Sequence, residues 1–227
     1  MNSHSRPARL MLVLLWLALV MAGAGAAPFS FPRTASWTVK LRYADFDPDK
    51  AEGDVRPLSV NVMATGGVRR YVISWSDKRS SEVWQTAQGT FQERTDSGAV
   101  DILPRGVIPD LSTPVDEALF TWITPQLVPT ESDFRGRKAL LFSKGAEEKL
   151  DEAASPSLAI QALNNRQAWI DAETSLPLAY SNQQVTCEFT FHEPPPAPLE
   201  LPARFQRALD ELLANATQLP PWARGQK

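Results

Sequence analysis

Cysteine is almost absent from this chain: Cys187 is the only one among 227 residues. No intrachain disulfide is therefore possible, and the fold must rest on its hydrophobic core. Histidine is nearly as scarce, with only His4 and His192. Removal of an amino-terminal leader would leave His192 alone, which excludes chemistry that needs two histidines within one chain. The sequence also has no Gly-x-Ser-x-Gly elbow and no Gly-x4-Gly-Lys phosphate loop. No block of like charge is long enough to form a tail. Long apolar runs are missing too, apart from Leu10 to Met21, which is shorter than the ~20 residues of a spanning helix.

That single run belongs to an export pattern. Arg6 and Arg9 precede it, no acid occurs before Asp45, and Ala22-Gly23-Ala24-Gly25-Ala26-Ala27 follows it. A basic start, a short apolar stretch and a small-x-small site mark residues 1–26 as a secretory signal. Ala24-Gly25-Ala26 sets the expected mature start at Ala27, with Ala22-Gly23-Ala24 as a second site. The protein is then expected to be periplasmic; if the leader stays uncut, it is tethered to the inner membrane. No cysteine lies near the site, so lipidation there is excluded. Two of the 23 basic residues leave with the leader, so the 26 acids outnumber the remaining basic residues by five. That balance argues against a nucleic-acid partner.

What the chain does have is alternation. Trp37, Val39, Leu41 and Tyr43 share one face of a strand over Ser36 to Ala44. Leu58, Val60, Val62 and Ala64 alternate again, Gly66-Gly67 marks a turn, and Tyr71, Ile73 and Trp75 line up on a third strand. Glu82 to Thr86 and Thr90 to Thr95 form two short strands. Pro104, Pro109 and Pro114 then break up a loop. Thr113, Pro114 and Asp116 predict a helix start, and Val115 to Thr124 a short helix stopped by Pro125. Its Leu119, Trp122 and Ile123 are placed to cover an apolar surface. Arg137 to Ser143 is a strand, Gly145 to Leu163 is ambiguous, and Arg166–Ile170, Leu178–Asn182 and Val185–Phe191 form a meander. Ala203 to Ala216 predicts a final helix with Phe205, Leu209, Leu212 and Leu213 on one side. The organisation is a signal (1–26), one domain (27–205), and a carboxy-terminal helix and tail (206–227).

Catalytic and metal-binding patterns are weak. Cys187 and His192 sit five apart on one strand, so their side chains point to opposite faces. Cys187 groups with Phe189 and Phe191 as a buried small apolar residue. Asp45, Asp47 and Asp49 alternate like a calcium loop, but Pro48 interrupts them and Arg56 stands where the twelfth-position glutamate belongs. Asn215-Ala216-Thr217 is a glycosylation sequon only in a host that glycosylates.

The residues Gln167-Ala168-Trp169-Ile170-Asp171-Ala172-Glu173-Thr174-Ser175-Leu176-Pro177-Leu178 resemble the late "lWID-x-x-T-x-x-P-l" strand–turn–strand of the LolA-like family. These are outer-membrane lipoprotein-sorting and lipoprotein-carrier proteins. Phe134 to Leu141, with its Gly136-Arg137 pair, is similar to the family's preceding strand. Val83-Trp84 and the final Phe189-Thr190-Phe191-x-x-Pro194-Pro195 sit in the family's order. The likeness spans most of residues 36–205 and is nearer to the broad relatives than to the dedicated carrier. It implies a mainly β (α+β) fold: a curved antiparallel half-open barrel with short helices over the concave face. It implies a lipid- or lipoprotein-binding protein, a non-enzyme without cofactor, holding acyl chains in an apolar cavity. Carriers of this kind use an arginine on an early strand to hold the lid helices, and Arg69 and Arg70 lie in that region. The candidate cavity residues are Trp37, Val39, Leu41, Tyr43, Tyr71, Ile73 and Trp75 on the sheet, with Leu119, Trp122 and Ile123 on the lid. The same residues also suit an ordinary core, as in an envelope protein–protein interaction or stress-sensing module on the same fold. The expected partners are acyl chains of lipids or lipoproteins, or envelope proteins, with the chain a monomer.

Overall fold

The computed structural model describes residues 29–50, 53–109, 111–145 and 165–215. The signal segment, most of the ambiguous 145–163 stretch, the second half of the sequon and the tail lie outside them. Eleven strands form one antiparallel sheet in the order β6-β5-β4-β3-β2-β1-β11-β10-β9-β8-β7, which does not close. They are β1 (Ala35–Tyr43), β2 (Pro57–Thr65), β3 (Val68–Trp75), β4 (Ser80–Gln85), β5 (Thr90–Glu93), β6 (Val100–Leu103), β7 (Thr130–Phe134), β8 (Arg137–Lys144), β9 (Arg166–Asp171), β10 (Pro177–Ser181) and β11 (Val185–His192). A 3-10 helix spans Glu117–Phe120, and α1 spans Ala203–Ala214. This is the mainly β, antiparallel architecture expected from the strand pattern, and the open sheet fits the half-open barrel that the family resemblance implies.

Period-two alternation sets the register. Tyr71 stands beside Val62 and Val83, and Val62 beside Trp37, which faces Phe191. A second row runs through Phe142, Ala168, Tyr180, Cys187 and Leu41. Both rows lie on one face and merge into a single buried cluster. Register shifts near Pro57–Ser59 and Pro177–Ala179 are bulges of the kind that bend a sheet. The β2–β3 hairpin turns on Gly66 and Gly67, at φ of 56° and 89°. Both angles lie in the left-handed region that a two-residue type I′ turn requires.

Two expectations need correction. The segment over Val115 to Thr124 is not a helix of that length. It makes one 3-10 turn, with Leu119 N–H bonding Asp116 O and Ile123 N–H bonding Phe120 O. Asp116 caps it, not Thr113, by accepting from Ala118 N–H. The tighter winding repeats every three residues, so Phe120 and Ile123 both turn to the sheet. In α1, Phe205 and Leu209 are buried, but Leu213 is 52% exposed. Moreover, α1 covers the opposite face of the sheet. It packs on Trp84 and Phe91, which alternation places away from Val83. Arg204 holds it there through Glu82 (3.0 Å) and Glu93 (3.2 Å).

The Trp169-Ile170-Asp171-x-x-Thr174 sequence has a clear physical role. The Asp171 carboxylate accepts from Glu173 N–H (3.0 Å), Thr174 N–H (2.8 Å) and the Thr174 hydroxyl (2.9 Å), and it pairs with Arg137. It therefore folds the β9–β10 turn from inside. Burial alone would raise its pKa; the Thr174 and Glu173 hydrogen bonds and the Arg137 charge outweigh burial and hold it below the usual carboxylate range. Asp171→Ala is expected to cost about 2–4 kcal/mol in urea unfolding, since several charge-assisted bonds go at once. Because the folded pKa is depressed, this contribution is fully present above the unfolded value near ~3.9 and is lost as pH falls through the folded value. The stability gap between wild type and Asp171→Asn should therefore be flat at neutral pH and shrink in acid.

Candidate functional site

The connection from β6 to β7 must travel from one edge of the sheet to the other. Across ten inter-strand gaps that is about 48 Å along the sheet. The described connecting residues, 104–109 and 111–129, run as a largely irregular lid across the apolar face. Val115, Leu119, Phe120 and Ile123 are the lid residues buried in the core.

Two polar anchors hold the lid down. The Trp37 indole N–H donates to Val115 O at 3.0 Å inside the core. Arg69, on β3, reaches Asp116 at 2.8 Å and Glu117 at 2.5 Å. Arg70 points to the other face, where it pairs with Glu82 at 2.6 Å and lies over the Trp84 ring. Of the two early-strand arginines, Arg69 is thus the one that meets the lid. Burial raises the Asp116 pKa, and its bond from Ala118 N–H and the Arg69 charge offset this only in part. Burial also pushes the Tyr71 phenol up to about 12, against the Arg69 charge. From Tyr71 the hydrogen bonds run on through Gln85 and Thr90 to Pro104 O, at the head of the same lid. Polar contacts from β3 and β5 therefore reach the lid at two points, Arg69 at the 3-10 turn and Thr90 at Pro104.

Sequence-based candidates all reach this region. Trp37, Val39, Leu41, Tyr71, Ile73, Leu119 and Ile123 are buried within the main cluster. Tyr43, Trp75 and Trp122 are partly buried and pack against it. Two contributors carry no periodic signal and were missed: Phe120 and the arm of Phe29 and Phe31. Phe31 packs its ring against Trp37, Phe120, Phe189 and Phe191 at centroid distances of 5.6–6.1 Å. Phe29 meets Phe120 at 5.5 Å. Ser30 N–H ties the arm to Ser175 O in the β9–β10 turn. The arm follows the expected cleavage site directly, and only long-range packing gives it a role.

Two clefts open at the rim of this face. One, of about 530 Å³, is lined by Tyr43, Val55, Pro57 and Val185 among others. The other, of about 580 Å³, lies beside Trp75 and Ser81 and shares Val55. Cys187 and His192 are on opposite faces: Cys187 lies in the core, and the His192 ring bonds Thr38 at 2.8 Å outside it. Burial pushes the Cys187 thiol up to about 12. No thiolate then forms at neutral pH, and disulfide-exchange reagents should label Cys187 only as the protein unfolds.

Arg69→Ala leaves the buried Asp116 carboxylate without its ion-pair partner. The expected cost is about 1–3 kcal/mol, discounted for the partial exposure of Arg69. Hydrogen exchange should localise the loss, with faster exchange at the amides of Leu119 and Ile123 and unchanged exchange in β9–β11.

No protein-family model matches the chain, and no curated protein matches it. Solved structures similar to it include the following three. The Mycobacterium tuberculosis lipoprotein LppX shares 11% identity, with 87% of this chain and 100% of that chain covered and a TM-score of 0.40. LprF from Mycobacterium bovis shares 12% identity, covering 75% and 90%, with a TM-score of 0.33. A LolA superfamily protein from Nitrosomonas europaea shares 8% identity, covering 88% and 98%, with a TM-score of 0.32.

Proposed function

We propose that this protein binds acyl chains of lipids or lipoproteins in the cell envelope, between the apolar sheet face and the lid, and acts as a carrier in lipoprotein sorting. The observation behind this reading is the construction of the cover. One continuous apolar face spans both halves of the sheet, yet what lies over it is an irregular loop and an aromatic arm. Loops open at lower free energy than packed helices or central strands. The polar attachments of the lid described above are few and lie at defined points, chiefly Trp37 and Arg69. A chain entering beneath the lid would replace the contacts of Phe29, Phe31 and Phe120 with its own. Each buried methylene contributes about 0.8 kcal/mol, so a long acyl chain supplies ~10 kcal/mol before ordering costs. That exceeds what a single partly exposed ion pair at Arg69 holds back.

Close packing of Trp37, Val39, Tyr71 and Ile73 with the lid also favours a second reading, an envelope interaction module whose core stays shut. Acyl binding separates the two. Native mass spectrometry on gently purified protein should show retained lipid, and a fluorescent fatty acid should bind the stripped protein with a Kd of about 1–10 μM. Arg69→Ala should speed both uptake and release, because the lid opens more often. If wild type and Arg69→Ala both ignore fatty acids and acylated peptides, the carrier reading fails and the interaction module stands.

A further inference from the structure

The two rim clefts carry a chemistry that the apolar face does not. Both contain a cation, and both cations are already neutralised. In the first, Arg56 is bound by Asp45 at 2.7 Å and Asp54 at 2.8 Å, and it lies over the Tyr43 and Phe46 rings. In the second, Arg79 is paired with Asp77. An anionic ligand would find no free positive charge in either cleft. What remains uncommitted is neutral. In the first cleft Ser112, Thr113, Gln183 and Gln184 have no side-chain partner among the described residues. In the second the same holds for Ser80, Gln92 and Thr95. Hydroxyls and carboxamides offer both donors and acceptors without charge. Trp75 supplies an aromatic wall, its indole fixed by a 3.0 Å bond to Ser81 Oγ. Val55 lines both clefts, which adjoin there as two compartments along the rim. Each compartment has the volume of an ordinary ligand site.

The geometry points to a binding site for a neutral oligosaccharide, with at least two linked sugar units straddling Val55. A pyranose presents an apolar C–H face to an aromatic ring and a rim of hydroxyls to amides and other hydroxyls. The Trp75 compartment, with Gln92 and Thr95, matches that pattern, and Gln183 and Gln184 meet the next unit. An extended peptide fits less well. Peptides add to unpaired strand edges, whereas the strand residues that line this trench belong to β1–β5 and β11, each paired on both sides. The trench borders the acyl-binding face: Tyr43 and Trp75 pack against the edge of its core, and Ser112 and Thr113 belong to the lid.

Calorimetric titration of the mature chain with maltohexaose and with chitohexaose tests the site. One of the two should bind with a Kd of about 0.1–1 mM. The matching monosaccharide should bind at least ~10-fold more weakly, because it fills one compartment only. The double variant Gln92→Ala/Gln184→Ala should lose about tenfold or more, as two hydrogen-bonding side chains go. Val55→Trp should block the trench, with thermal melting confirming that both variants are folded. The proposal is overturned if neither hexasaccharide binds, if binding survives the double variant, or if a neutral hexapeptide binds in their place.

Discussion

The edge-to-edge connection between β6 and β7 is the constraint on which the rest depends. The chain builds the sheet outward from β1 to one edge, crosses, and builds inward from the other edge until β11 pairs with β1. The crossing segment cannot avoid the sheet face. It covers that face with apolar side chains, a task it shares with the Phe29–Phe31 arm. A regular helix advances only about 1.5 Å per residue. A largely extended path gains distance about twice as fast. The lid is therefore irregular for reasons of reach. Irregularity in turn leaves the lid dependent on a few polar attachments.

Those attachments are buried or half-buried, which makes them specific as well as holding. Arg69 meets two carboxylates at the start of the 3-10 turn, and the Tyr71–Gln85–Thr90 chain leads to the other end of the lid. Partners left unmade in such surroundings are costly, so the closed arrangement is well defined. On the opposite face, α1 does a different task. It shields Trp84 and Phe91 near the β6 edge and takes no part in the lid.

Much of the sheet was legible because one face is buried, which forces alternation on β1, β2, β3 and β11. The edge strands were not. In β7 the sequence Thr-Glu-Ser-Asp-Phe has no apolar face, and the four residues of β6 are all half-buried. Edge strands are kept short or charged, so their pattern is weak. The lid's apolar residues were found by helical spacing, although the segment is not a long helix; both windings place Leu119 and Ile123 inward. Phe120 was hidden by that same assumption, and the Phe29–Phe31 arm by its lack of any period. The motif around Asp171 carried the family resemblance, and its chemistry proves to be that of a turn, not of a site.

The central claim is that the lid separates from the sheet to admit an acyl chain. Cys187 is buried, so paired spin labels can be placed by adding cysteines at exposed Ala118 on the lid and exposed Lys40 on the outer face of β1. The distance between them, measured by pulsed electron resonance with and without a long-chain fatty acid, reads lid position directly. The account predicts a longer distance, or a second longer population, when the fatty acid is bound. A single unchanged distance at saturating fatty acid would contradict it.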